Sequence, residues 1–278
     1  MEKLQKLSLS ILLTIILFSC KEHSKLSKKE RRTLAEKTYN EAIQYRQGST
    51  AFQNGIVDAL TIDPEYEQAV HELSVAHLKR GMPHKWLPQY NKAVALDSVN
   101  RIPWRGYLYL WFYRDYKKAI ADFDASDTLT PDFIDAPQGH SVDYWRGIAY
   151  LGLKDYKNSI AYFEKHITKE TKEFGEDYVD LNAFLYNGIA YFESGNIEKA
   201  LYNFNTQLKY ANNLSADAKY YKAKILISKN KKKEALKYIN EAIYDYEIGY
   251  NNKRDYVETL RQLYYKDLLE LKTIITAL

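Results

Sequence analysis

The sequence has little of what most enzymes need. Cys20 is the only cysteine in 278 residues, so the chain can form neither an intramolecular disulfide nor a zinc–thiolate cluster. The histidines include no H-E-x-x-H metal motif, and His71 and His77 are too far apart in sequence to share a helix face. No G-x-S-x-G elbow, G-x-x-x-x-G-K phosphate loop or G-x-G-x-x-G turn occurs. The sequence therefore predicts a non-catalytic protein with no metal site and no cofactor.

Neither sign of charge dominates the chain. Without residues 1–19 it has 38 basic and 35 acidic side chains, a net charge of +3. So small an excess does not predict an electrostatic partner for the whole domain. Residues 20–33 include a basic run, Lys21 to Arg32, but this run has no interleaved aromatic residues and follows an export signal. We therefore interpret it as a tether, either held near an anionic lipid surface or simply solvated, and not as a nucleic-acid site.

The N-terminus is typical of a targeting segment. Lys3 and Lys6 precede an apolar run, 7–18, which is shorter than the roughly 20 residues of a membrane span and typical of a secretory signal. The run ends in L-F-S-C, which resembles a bacterial lipobox, where the cysteine is acylated after cleavage. We expect removal of residues 1–19, lipidation of Cys20 and an exported lipoprotein, anchored in the outer membrane of a Gram-negative bacterium. An ordinary signal peptide cleaved nearby is the alternative.

Residues 181–210 have the pattern of a helical hairpin. Two runs with apolar residues at helical spacing flank the turn Gly195-Asn196. Gly188 and Ala200 are small where two helices would cross, and Tyr191 and Phe204 are large where the same helices would leave a gap.

This spacing resembles the tetratricopeptide repeat, W-x2-L-G-x2-Y, then A-x3-F, then P. The small-residue position of the second helix recurs at intervals of 34, 33, 40, 41 and 35 residues, at Phe52, Trp86, Ala119, Ser159, Ala200 and Ala235. The resemblance implies an all-α, right-handed α-solenoid of about five to six helical hairpins over residues 34–250. The two longer intervals place extra residues in the connections 131–142 and 168–179.

The last segment, 251–278, does not follow the hairpin pattern. Apolar residues at spacings of three and four predict one amphipathic helix, marked by Val257, Leu260, Tyr264, Leu268, Leu271 and Ile275. A solenoid needs a terminal unit that covers its last apolar face. We therefore interpret 251–278 as a capping helix; docking on a partner in trans is the alternative.

In tetratricopeptide proteins, the first helix of each hairpin lines a concave groove that binds a protein or peptide. Carrying that register onto this sequence gives a groove that is mainly apolar and aromatic. Its candidate residues are Trp104, Leu108, Trp111, Tyr144, Ile148, Leu151, Leu185, Ile189, Phe192, Tyr220, Lys224 and Ile227. The Lys and Asn residues with which the family's heat-shock adaptors hold a carboxylate are not reproduced, because Lys37 is followed by Glu41 and the fourth repeat has Tyr144 and Ile148.

The sequence therefore predicts a lipid-anchored repeat protein that binds a protein or peptide partner at the cell envelope. Two other functions stay open. One is a structural assembly factor of an outer-membrane complex, of the β-barrel assembly type. The other is a carbohydrate-binding lipoprotein that uses aromatic platforms, although such chains are usually longer.

Replacing Cys20 with Ala tests the anchor. Two acyl chains give firm membrane attachment, whereas one gives only marginal binding. We expect Cys20→Ala to yield an unprocessed precursor or a soluble protein without incorporated lipid, measured by metabolic lipid labelling and membrane fractionation. A variant that is labelled and fractionates like the wild type would contradict lipidation at this residue.

Overall fold

The computed structural model describes residues 26–277, and within them the chain forms thirteen α-helices and no β-strand. The all-α fold class is confirmed. None of these helices combines the length and the apolar character needed to cross a bilayer. The signal segment and Cys20 lie outside the described residues. The helices are α1 Lys28–Ala42, α2 Thr50–Ile62, α3 Glu67–Lys79, α4 Pro83–Leu96, α5 Ser98–Leu108, α6 Tyr116–Leu129, α7 Val142–Gly152, α8 Tyr156–Phe174, α9 Leu181–Glu193, α10 Ile197–Tyr210, α11 Ala216–Ser228, α12 Lys232–Glu247 and α13 Tyr265–Ala277.

The first twelve helices pair into six hairpins, from α1–α2 to α11–α12. The chain divides into two compact units, and the boundary between Arg101 and Ile102 falls inside α5. The first unit contains α1 to α4. Its core joins residues of α1, α2 and α3, namely Ala35, Ala42, Phe52, Ile56, Ala59, Ile62, Tyr66 and Ala69.

In the second unit, three hairpins are closed by a glycine that packs against a phenylalanine ring. A Cβ atom on Gly188 would lie 2.6 Å from Phe204 Cε1, and one on Gly147 would lie 2.8 Å from Phe163 Cε1. These distances are shorter than any normal carbon contact, so only glycine allows the two helices of the hairpin to approach this closely. The small and large residues of the sequence pattern therefore meet as predicted.

The turns inside these hairpins share one chemistry. The residue before the second helix's N-cap is left-handed: Arg114 has φ 54°, Lys154 has φ 61° and Gly195 has φ 87°. The N-cap that follows is Asp or Asn, and its side chain accepts a hydrogen bond from the backbone of the third residue after it. Such a cap satisfies one of the free N–H groups at the helix start and fixes where the second helix begins.

One hairpin carries an extra residue. The chain is wound as a π-helix over Tyr109–Tyr113, directly after α5. Gly106 packs on Phe123, 17 residues later, whereas Gly147 and Gly188 pack on phenylalanines 16 residues later. A π-turn adds one residue to a helix. It therefore shifts the residues before it by one position relative to the other hairpins.

The connections and the N-terminal boundary differ in detail from the sequence prediction. Part of the insertion at 168–179 lengthens α8, which extends to Phe174, and a 3₁₀ turn follows at Glu176–Tyr178. The insertion at 131–142 contains a 3₁₀ turn at Pro137–Gly139. The first helix begins at Lys28, inside the segment predicted as a tether, because Ser27 and Glu30 form a reciprocal capping box that starts the helix there.

The prediction of one helix over 251–278 is wrong for its first half. The helix begins at Tyr265, and residues 251–264 form an irregular segment whose polar groups bond to the first helices of the second unit. Those bonds replace the backbone ladder that a helix would have needed. The predicted apolar face is retained in α13, which packs on α11 and α12 through Leu268, Leu271 and Ile275.

Gly188→Leu should destabilise the fold, because its side chain would enter the space filled by the buried Phe204 ring. Overpacking of this kind costs roughly 1–3 kcal/mol or more. We expect a clear fall in the melting temperature, measured by circular dichroism. Tyr202→Leu, at a residue that is 61% exposed on α10, is the control and should change it little. Equal melting temperatures for the two variants would contradict the glycine contact.

Candidate functional site

The first helices of the hairpins in the second unit carry a surface that the chain itself occupies. This surface, called the groove below, is formed by α5 with its π-turn, α7, α9 and α11. The irregular segment Asn251–Tyr264, called the strap below, bonds to residues of all four. The groove therefore holds an extended stretch of polypeptide in the structure.

The strap enters the groove at Asn252. Its backbone N–H donates to Asp217 Oδ2 of α11 over 2.7 Å, and its side-chain amide donates to the Tyr186 hydroxyl of α9 over 2.9 Å. Both partners are buried. Burial raises the pKa of the Asp217 carboxyl to about 7 and that of the Tyr186 hydroxyl to about 12. Removing a carboxylate from water disfavours its charged form, which explains the direction at Asp217.

The tip of the strap places Arg254 among three aromatic rings. Its guanidinium carbon lies 4.3 Å from the Trp111 ring centroid, 5.5 Å from Tyr107 and 5.7 Å from Trp145. A guanidinium nitrogen also donates a hydrogen bond to the Tyr107 hydroxyl. The rings contact one another edge to face, with centroids 5.1 Å apart for Tyr107–Trp145 and 6.0 Å apart for Trp111–Trp145. We call Tyr107, Trp111 and Trp145 the arginine cage.

The strap leaves the groove through Arg261. Its guanidinium forms a two-point ion pair with Glu193 at the end of α9, over 2.6 and 2.7 Å, and points a third bond of 3.5 Å at the Leu151 carbonyl. Thr259 and Gln262 hydrogen-bond to each other and to the Asn252 carbonyl. These bonds tie the outgoing and returning parts of the strap together, so its base is closed.

The predicted groove residues fall into three groups. Phe192, Tyr220 and Lys224 converge, since the Lys224 ammonium lies 5.4 Å from both ring centroids. Trp111 belongs to the arginine cage, and Trp104 contacts the cage edge to face at Tyr107, 5.9 Å away. The others are buried in the packed interior: Leu108, Tyr144, Ile148, Leu151, Leu185 and Ile189.

Tyr144 shows how a predicted groove residue is used in packing instead. Its ring stacks on His140 at 4.7 Å and meets the Phe163 ring edge to face at 6.0 Å. It is only 3% exposed. The structure therefore brings the predicted residues to the same helices but does not gather them on one open surface.

The residues that bond to the strap are mostly neighbours of the predicted ones. Trp145 follows Tyr144, and Tyr186 follows Leu185. Adjacent residues point about 100° apart around a helix, so a shift of one position exchanges the groove edge for the interior. On α5 the shift has a visible signal, because Gly106 stands 17 residues before Phe123, which places Tyr107 where Leu108 was predicted.

Three further groove contacts carried no sequence signal. Glu193 and Asp217 contact the strap from helices whose composition gives no reason to single them out. Arg114 donates to the Glu258 carbonyl from the end of the π-turn. Their role depends on the path of the strap, which the sequence predicted as a helix.

A separate cavity of about 460 Å³ lies among α8, α9 and α10. The amide oxygen of Asn187 is buried there without a hydrogen-bond donor in the described part of the chain. Lys199 donates to the Tyr191 hydroxyl over 3.0 Å at its wall. The insertion at 168–179 contributes Thr168 and Glu176, and the remaining lining residues are Glu164, Ile167, Phe184, Glu198, Tyr202 and Asn203.

Tetratricopeptide-repeat family profiles match residues 144–168 and 186–248, that is, α7–α8 and α9–α12. Among solved structures, PilW, a widely conserved type IV pilus biogenesis factor, has a TM-score of 0.61 at 16% identity, over 77% of this chain and 94% of PilW. Pseudomonas aeruginosa PilF has a TM-score of 0.59 at 18% identity, over 79% and 93% of the two chains.

YrrB, a TPR protein with an unusual peptide-binding site, has a TM-score of 0.50 at 20% identity, over 70% of this chain and 93% of YrrB. At these identities the likeness is one of fold alone. Curated protein sequences give no match.

The buried Asp217 predicts a pH dependence that Asp217→Asn should remove. Because the folded-state pKa of about 7 lies above the ordinary 3.8, the fold prefers the protonated carboxyl. Its contribution to the free energy of unfolding is complete below pH 3.8 and is lost as pH rises through about 7. We expect the wild type to lose melting temperature relative to Asp217→Asn over that range. A difference that stays constant with pH would contradict the assignment.

Proposed function

Because the chain is a tetratricopeptide-repeat protein, we propose that it is a non-catalytic binding protein for another polypeptide. The partner lies in the groove of α5, α7, α9 and α11 as an extended segment, and the protein is held at the cell envelope by lipid on Cys20. Proteins with this fold are in general interaction scaffolds, which supports the coarser part of the proposal.

The strap is the observation that carries the proposal. It crosses the groove without helix or strand structure, and its contacts are of the kinds that hold a peptide: amide bonds to Asp217 and Tyr186, an arginine among aromatic rings, and a two-point ion pair with Glu193. Aromatic rings and arginines supply much of the affinity of protein interfaces. A surface that holds fourteen residues of its own chain in this way has the chemistry to hold an equivalent segment of a partner.

The partly exposed end of the groove offers a place for that partner to begin. Phe192, Tyr220 and Lys224 form a cluster in which the ammonium lies against two rings, and none of the three is fully buried. The peptide-binding site named for YrrB supports a role in peptide recognition for a protein of this fold. The envelope location is inferred from the lipobox-like sequence at Cys20.

Position-specific photocrosslinking in intact cells tests the groove. We expect a benzophenone side chain in place of Lys224 to form a discrete adduct with a partner protein after irradiation, identified by mass spectrometry. The matched control replaces Tyr244, which is 59% exposed on the second helix of the same hairpin, and should form no such adduct. Adducts at Tyr244 with none at Lys224 would place the partner elsewhere and contradict the proposal.

A further inference from the structure

We propose that the arginine cage is the specificity pocket of the groove and that Arg254 fills it as an internal stand-in for an arginine of the partner. The partner is then an extended segment that carries an arginine and displaces the tip of the strap when it binds. This inference rests on the proposed function and adds the chemistry of the segment and the way in which the groove is closed.

The cage is built for a guanidinium. Three ring faces and edges surround the Arg254 side chain, and the Tyr107 hydroxyl accepts one of its hydrogen bonds. Within residues 26–277 no acidic side chain forms an ion pair with Arg254. The positive charge is therefore stabilised by the quadrupoles of the rings. A planar guanidinium, which stacks on rings and is weakly hydrated, suits such a site better than the compact ammonium of lysine.

The tip of the strap depends on this one side chain. Lys253, Asp255 and Tyr256 beside it are exposed, and Tyr256 is 70% exposed. Tyr256 also has a left-handed backbone with φ 67°, a conformation that side-chain-bearing residues rarely adopt. Removing Arg254 from the cage therefore releases local strain and loses little buried surface.

The base of the strap is anchored independently of the tip. Thr259, Leu260 and Leu263 are each at most 6% exposed, and Leu263 belongs to the core that α11, α12 and α13 share. Arg261 adds its two-point pair with Glu193. The tip, 253–258, can consequently leave the cage while the base and α13 stay in place.

The strap does not satisfy every polar group of the site. The indole N–H of Trp111 and one guanidinium nitrogen of Arg114 are buried and have no acceptor within the described residues. These two side chains are neighbours, since the Arg114 guanidinium lies 5.3 Å from the Trp111 ring centroid. A buried donor without an acceptor is unfavourable. A partner segment that offered carbonyl oxygens here would bind the site better than the strap does.

A segment tied to its own binding site competes strongly with one in solution. An effective concentration on the order of millimolar is typical of a short linker, so a free peptide must overcome that competition. Its apparent affinity falls by the fraction of molecules in which the cage is open. Removing the internal arginine should therefore increase the affinity of the cage for an arginine supplied from outside.

The experiment uses a synthetic octapeptide that copies residues 251–258, titrated into the full mature chain while tryptophan fluorescence is followed, since Trp111 and Trp145 line the cage. We expect Arg254→Ala to bind this peptide at least about tenfold more tightly than the wild type does, because competition from the strap tip is lost. The matched control is Lys253→Ala, which removes the adjacent exposed cation and should behave like the wild type. The same peptide with Ala in place of its arginine should not bind, and one with Lys should bind more weakly.

Two results would overturn the inference. One is equal peptide affinity of wild type and Arg254→Ala, with both folded by circular dichroism; the other is equal affinity for the Arg and Ala peptides. If Arg254→Ala does not fold, Arg254→Lys replaces it, and there too the inference requires tighter binding of the Arg peptide than in the wild type. Failure of this titration leaves the Lys224 adducts unaffected, so it is distinguishable from failure of the proposed function.

Discussion

The close crossing of two helices at a glycine is the constraint on which the second unit depends. Gly147 and Gly188 allow the Phe163 and Phe204 rings to lie directly against the backbone of the facing helix. Ser159 strengthens the first of these crossings, because its hydroxyl donates to the Gly147 carbonyl over 2.8 Å. Once the two helices are held at this distance, each hairpin has a fixed shape with an apolar face that the next hairpin covers.

Buried charges then align one hairpin with the next. Arg146 on α7 is fully buried and bonds to Asp124 and Asp127 of the preceding hairpin, over 3.0 and 2.5 Å. In the last hairpin, Lys219 of α11 pairs with Asp245 of α12 over 2.7 Å while both are buried. A buried charge is tolerated only in the geometry that keeps its partner in place. These pairs therefore oppose sliding between helices and keep the first helices in a constant relation, which is what a peptide-binding groove requires.

The strap gives the groove an unusual character, because an irregular segment covers it where a solvent-exposed face would otherwise remain. Its two ends behave differently. The base is anchored by buried leucines and by the Arg261–Glu193 pair, and it continues into α13. The tip is held by the insertion of Arg254 among aromatic rings. A firm base and a tip held by one side chain together make a segment that can open locally without loss of the fold.

The sequence by itself determined the repeat architecture. Small and aromatic residues at helical spacing are sufficient to predict helical hairpins and their period, because the Gly188–Phe204 contact and its counterparts are local and recur. The helices that line the groove followed from the same pattern. The exact groove residues did not, because one extra residue in the π-turn at Tyr109–Tyr113 and a step of 100° around the helix axis decide whether a side chain faces the groove or the interior.

Only the tertiary structure decided the path of the strap. Val257, Leu260 and Tyr264 have the spacing of a helix, and local propensity has no means of registering that Asp217, Tyr186 and Glu193 lie nearby in space with unsatisfied polar groups. Those partners come from helices 35 to 68 residues away in sequence. Bonds over such separations outweigh local preference, since they satisfy buried groups that a helix at 251–264 would leave unpaired. The α13 helix, whose contacts with α11 and α12 continue the apolar periodicity, kept the structure that its own sequence predicted.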